Sequence, residues 1–127
     1  MKEPLAAPFL EAANSGALSV QLCTACGHHQ LPPKARCEAC GSVNLEWVRA
    51  SGRGRIGSFA VLHRAPSPEH QARIPYVYAL IDLEEGPRIV TNVLADPGRV
   101  GVGDAVVAVF ARSDEDGQRW PEFEPAS

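Results

Sequence analysis

No apolar run in this 127-residue sequence approaches the roughly 20 residues that a membrane span needs. The N-terminus "MKEPLAAPFLEAANSG" also lacks the basic start and the continuous apolar stretch of a secretory signal. A cytoplasmic protein is therefore expected, with no membrane partner. The chain shows no internal repeat and no low-complexity tract, and aromatic residues make up only 6% of it. Its length excludes two full-sized cores: it suits one ordinary domain, or a very small module joined to a compact domain of about 70 to 80 residues. The eleven prolines and eleven glycines indicate many turns.

The net charge of −3 is unevenly spread. Between Arg49 and Arg73 there are five arginines against one acid, Glu69, whereas from Asp104 onward six acids face Arg112 and Arg119. A basic surface in the first stretch could meet phosphates or an acidic partner, while the acidic end would repel nucleic acid.

The chain does have cysteine, and in a telling arrangement. In "LCTACGHHQLPPKARCEACGS", residues 22–42, two Cys-x-x-Cys pairs stand ten residues apart. Thiols are kept reduced in the expected compartment, so Cys23, Cys26, Cys37 and Cys40 point to a metal, and tetrahedral zinc wants four such ligands. Four thiolates close the coordination sphere and leave no position for an activated water, so the zinc is expected to be structural, not catalytic. Two pairs also argue against a thioredoxin-type redox centre, which uses one. A glycine follows each pair, as a chain folding back around a metal requires at positive φ. Pro32-Pro33 is expected to carry the chain in extended form between the two knuckles. His28 and His29 sit in the first turn and are expected to be solvated or to act behind the ligands.

Upstream, Phe9, Ala12 and Ala13 fall near helical spacing and Asn14-Ser15-Gly16 would end the helix. Downstream, "NLEWV" alternates like a strand. From Ser51 onward the pattern is all-β, with strand candidates at 54–65, 75–84, 87–95, 104–112 and 119–125. "EEGP" and "DEDG" suit hairpins, and "ADPGRVGVGD" suits a longer crossing. Five short strands with glycine-rich bends suggest a closed OB-fold barrel, with an SH3-like barrel as the alternative. The strand at 75–84 is apolar on both faces near its middle, so the helix and the cysteine module are expected to cover it. The fold class is thus mainly β: an N-terminal helix in residues 1–19, a rubredoxin-like zinc ribbon in 20–49 and a five-stranded OB-fold barrel in 50–127.

These stretches resemble the zinc-ribbon plus OB-fold family catalogued as domain of unknown function 35 and described as acyl-CoA-associated. The resemblance rests on "PFLEAANSGALSVQLCTACG", "LPPKARCEACGSVNLEWVRASGRGRIGSFAVLHRAP", "PYVYALIDLEEGPRIVTNVL" and "VGVGDAVVAVF", and it covers nearly the whole chain. It implies a non-catalytic accessory subunit of an acyl-CoA enzyme. The implied partners are thiolase-like, ketoacyl-synthase-like or aldolase proteins, or hot-dog-fold enoyl-CoA hydratases, and the subunit helps to hold or channel the acyl-CoA substrate.

No catalytic constellation is visible. His63 in "VLHRAP" is the histidine nearest a base-like setting, but the sequence shows no carboxylate or nucleophile to accompany it. Arg53 and Arg55 in "SGRGRIG" stand among glycines that would let the backbone approach a ligand, and guanidinium pairs well with phosphate. With His63 and Arg64 they are candidate contacts for a CoA phosphate or a partner, against the plainer reading of a charged strand edge. Glu84 and Glu85 are expected at a solvated hairpin tip. The competing function is a single-stranded nucleic-acid-binding module; such barrels grip strands with exposed aromatics on a basic groove, whereas here only Phe59, Tyr76, Tyr78 and Phe110 lie in the central barrel strands and the chain is acidic overall.

Overall fold

The computed structural model describes residues 4–63, 75–111, 113 and 116–126. One 3-10 turn, Pro4–Ala6, leads into helix α1, Ala7–Asn14. Pro8 lies in its first turn, where a missing N–H costs nothing. The helix ends as "NSG" requires: Gly16 takes φ +80° and its N–H returns to the Ala13 carbonyl at 3.0 Å. Phe9, Leu10 and Ala13 form its buried face.

Three antiparallel strands make the ribbon sheet, β1 (Ser19–Cys23), β2 (His29–Gln30) and β3 (Leu45–Arg49), in the order β2-β1-β3. Five more close a barrel: β4 (Arg53–Leu62), β5 (Tyr76–Leu83), β6 (Arg88–Val93), β7 (Ala105–Val109) and β8 (Glu122–Pro125). Their order is β4-β5-β6-β8-β7, with β7 returning to β4 and with β6 and β8 parallel where Val93 meets Phe123. This is a five-stranded OB-type barrel. Two of the three turn stretches act as expected, and the third, "DEDG", lies partly outside the described residues. Gly86 at φ +114° closes the β5–β6 hairpin, and the glycine-rich stretch after β6 crosses to the non-adjacent β7. The last strand is shorter than its candidate: Pro121, with no N–H to donate, separates an isolated bridge between Arg119 and Ser113 from the continuous strand that starts at Glu122.

Inside the barrel Ile56, Val77, Ala79, Ile81, Leu83, Val93, Val106 and Phe123 are buried, and Phe9, Leu10, Leu18, Val20 and Ala50 join the same cluster. Helix, ribbon and barrel therefore share one core. The junction is also hydrogen-bonded: the Ala50 N–H reaches the Leu18 carbonyl at 2.8 Å, and the buried Gln118 side chain donates to the Leu10 carbonyl at 3.0 Å.

Three expectations need correction. The outer face of β5 is not covered by helix and ribbon: Tyr78 is 45% exposed, because α1 and the ribbon loop pack instead beside β6 and Trp120-Pro121. The chain does not run extended through Pro32-Pro33, but bends at Leu31–Pro32, where the peptide is cis. Glu85 is not a solvated tip. It is partly buried, and one of its carboxylate oxygens accepts from the Ser51 N–H at 2.8 Å, tying the turn after β5 to the chain leaving the ribbon.

Gly54 is required by strand packing. A Cβ there would stand 2.7 Å from both the Asp82 carbonyl oxygen and Ile81 Cγ2 on β5. Gly54→Ala is expected to destabilise the fold by about 1 to 3 kcal/mol, read as a lower midpoint in denaturant unfolding; an unchanged midpoint would contradict this packing.

Candidate metal centre

Each cysteine pair sits in a knuckle closed by the same two backbone bonds. In the first, the Gly27 N–H meets the Cys23 carbonyl at 2.8 Å and the Cys23 N–H meets the His28 carbonyl at 2.9 Å. In the second, Gly41 to Cys37 and Cys37 to Ser42 repeat the pattern, both at 2.8 Å. Gly27 and Gly41 adopt φ +81° and +78°, the left-handed turn expected after each pair.

The two knuckles bring Cys23, Cys26, Cys37 and Cys40 together, with all four sulfurs within 4.8 Å of one another. The Cys23–Cys40 and Cys26–Cys37 sulfur separations are 3.6 and 3.7 Å. Four sulfurs about 2.3 Å from a tetrahedral ion would be roughly 3.8 Å apart, so the residues fit such an ion. The first cysteine of each pair is buried and the second exposed, which leaves the cluster facing solvent on one side.

Local donors polarise these thiols unequally. Burial opposes ionisation of Cys23, but the N–H groups of Cys26 and Ala25 and the neighbouring sulfurs outweigh it and bring its pKa down to about 7. At Cys26 the His28 N–H favours the thiolate, yet burial and the other three sulfurs push its pKa up to about 12. Four thiolates this close repel one another, and a divalent cation removes that repulsion.

The ribbon's interior holds two residues that periodicity and motif reading both passed over. Gln21 and Gln30 are 3% and 1% exposed. Gln30 Nε2 donates to Gln21 Oε1 at 2.8 Å, and Gln21 holds Lys34 from both sides, donating to its carbonyl at 3.0 Å and accepting from its N–H at 2.9 Å. Gln30 Oε1 accepts from the Glu38 N–H at 2.9 Å, one residue beyond Cys37. Their position on β1 and β2 next to a cysteine pair was the available signal; the polar side chain masked it. His28 is engaged as well: its Nε2 lies 2.9 Å from Glu38 Oε2, and Lys34 Nζ is 2.8 Å from the other Glu38 oxygen. The His28 and Lys34 contacts hold the Glu38 carboxyl below its ordinary range.

The other candidates are dispersed. Arg53 and Arg55 flank a surface groove of about 420 Å³ beside Asp82, Glu84 and Ala105, and Arg55 Nη1 donates to the Gly103 carbonyl at 3.0 Å. The glycine between them packs against β5 and is not a cradle for a ligand. His63 follows the far end of β4, roughly 25 Å from Arg55 at 3.3 Å per residue, so one phosphate cannot touch both. His63 is exposed and has no carboxylate partner among the described residues. Arg64 lies outside the described residues. Of the four aromatics that a nucleic-acid-binding barrel would have to draw on, Tyr76 is buried, Phe59 and Phe110 pack against the core, and Tyr78 alone is exposed.

Gln30→Ala would leave the Glu38 N–H and the Arg36 carbonyl without their partner inside the ribbon. A loss of about 1 to 3 kcal/mol is expected, with weaker metal retention in a competition against a chelator. Wild-type retention would show that the glutamines do not support the centre.

Comparison with known proteins matches both halves. Residues 10–46 fit the family model described as "ChsH2, rubredoxin-like zinc ribbon domain", and residues 47–111 fit "ChsH2, C-terminal OB-fold domain". A DUF35 domain-containing scaffold protein of Methanothermobacter thermautotrophicus is 36% identical over 98 residues, covering 76% of this chain and 73% of that one. A probable enoyl-CoA hydratase alpha subunit of Thermomonospora curvata is 37% identical over 119 residues, covering 93% of this chain. The chain spans about a third of that subunit's length, 36%. Among solved structures, the Ltp2-ChsH2(DUF35) aldolase superposes with a TM-score of 0.88 at 36% identity, over 98% of this chain and 97% of that chain. Joined to the paired knuckles and the closed five-stranded barrel, these matches establish that the chain belongs to the ChsH2/DUF35 family of zinc-ribbon and OB-fold proteins.

Proposed function

We propose that this chain is a non-catalytic scaffold subunit that binds a thiolase-like aldolase or an enoyl-CoA hydratase and helps to hold its acyl-CoA substrate. The observation that carries this reading is the full-length likeness to the Ltp2-ChsH2(DUF35) aldolase chain, 36% identical over 98% of this one. The dispersal of the candidate polar residues supports it, since a base needs a nucleophile or carboxylate within hydrogen-bond reach and His63 has none among the described residues.

The four-cysteine centre holds structural Zn²⁺ in this reading, because four thiolates close its tetrahedron. Such an ion would supply folding free energy to a ribbon whose interior is partly polar. Arg53 and Arg55 serve as the contact for a CoA phosphate or an acidic partner surface, through guanidinium groups exposed beside the groove.

Co-expression with a thiolase-like aldolase or enoyl-CoA hydratase of the same organism is expected to give one complex in size-exclusion chromatography. The double variant Arg53→Glu, Arg55→Glu should weaken it about tenfold or more, and more strongly at low salt. A lone monomer that alters neither stability nor activity of that enzyme would overturn the scaffold reading. Metal analysis should find one zinc per chain, and stripping it with a chelator under reducing conditions should cost ribbon folding and complex formation together. Retention of both after zinc removal would refute the structural role.

A further inference from the structure

Among the described residues, the shortest pairing in the barrel's circuit is the one between β6 and β8. On its β5 side, β6 is paired at every residue from Arg88 to Val93, whereas on its β8 side pairing is confined to Val93 opposite Phe123. In an antiparallel pair every second residue turns its N–H and C=O away from the partner strand. The bridge at Val93 uses the Leu94 N–H and, by its parity, the Asn92 carbonyl, which leaves the outward groups of Arg88 and Val90 with no backbone partner among the described residues. The segment that approaches this edge cannot complete it. Thr91 Oγ1 donates to the Pro121 carbonyl at 2.7 Å, and Pro121 has no N–H to return.

This open edge borders a groove of about 300 Å³ between helix, ribbon loop and barrel, lined by Phe9, Leu31, Ile89, Val90 and Trp120 with Arg88 at its rim. Arg88 is its sole charged side chain among the described residues. Asp82 holds the Arg88 Nε at 2.7 Å, and the Arg88 side chain remains 67% exposed, so its fork can meet a second carboxylate. Val90 is 50% exposed and Tyr78 on the neighbouring strand 45%, which extends the apolar surface from the groove onto the barrel's outer face. An unpaired strand edge beside an apolar groove is the arrangement that takes up an extended peptide as an added strand, with side-chain pockets setting specificity.

We infer that the β6 edge is a strand-addition site for an extended segment of the partner enzyme. The segment is apolar on the face turned into the groove and carries an Asp or Glu that meets Arg88. The inference rests on the scaffold reading and goes beyond it by placing the contact and stating its chemistry. Backbone bonds along β6 supply affinity, the Phe9–Trp120 groove takes the apolar side chains, and Arg88 sets the register.

The test is backbone hydrogen exchange on the full metal-loaded chain, free and in complex with the co-expressed enzyme. Alternate amides between Arg88 and Asn92 are expected to slow about tenfold or more in the complex. Val90→Lys and Arg88→Gln should each weaken the complex about tenfold, while Val102→Lys, at a site 69% exposed and away from the groove, should not. A complex that forms with unchanged exchange along β6 and is indifferent to Val90→Lys would overturn this inference and leave the scaffold reading standing. Failure to form any complex removes the scaffold reading and this site with it. Protection that grows with concentration of the free chain would assign the edge to a second copy and overturn the partner assignment.

Discussion

Four cysteine sulfurs drawn within 4.8 Å of one another set the condition that the rest of the ribbon obeys. A module this small cannot bury enough apolar surface to hold itself together, and this one spends part of its interior on Gln21 and Gln30. An ion held by the four sulfurs would close the two knuckles at a single point. The glutamines carry that closure outward, fixing the loop from Lys34 to Glu38 through its backbone. Without the amides, the loop that carries Cys37 would lose the bonds that frame such a site.

The ribbon is not a free appendage. Leu18 and Val20 on or beside β1, and Ala50 after β3, enter the same cluster as the barrel interior. Asn14 and Gln118 tie the C-terminal end of α1 to the segment before β8 through the Arg119 N–H and the Leu10 carbonyl. A surface composed of helix, ribbon loop and barrel keeps its shape only when the three cannot shift independently, and this junction meets that condition.

Much of this was legible in the sequence because local chemistry dictated it. Cys-x-x-Cys-Gly specifies a knuckle by stereochemistry alone, and the glycine turns and alternating strands made the barrel readable. What stayed hidden depended on distant partners. Nothing local distinguishes a solvated Glu85 from one that accepts the Ser51 N–H 34 residues away. The glycines around Arg53 and Arg55 looked like room for a ligand, whereas Gly54 yields its space to β5. The two faces of β5 were equally apolar in sequence, and the docking of α1 against the segment before β8 decided which stayed exposed.

The polar interior of the ribbon sets how the molecule responds to its surroundings. Unfolding apolar surface carries a large positive heat capacity, while exposing polar groups lowers it. An ion held by the four cysteines would add to the ribbon a stabilisation that follows the logarithm of its free concentration, a dependence the barrel around Phe123 and Ile81 would share only through their common core. Because Leu18, Val20 and Ala50 pack in the same cluster as the barrel interior, loss of such an ion would be felt beyond the ribbon, at the junction that holds the molecule's three elements in register.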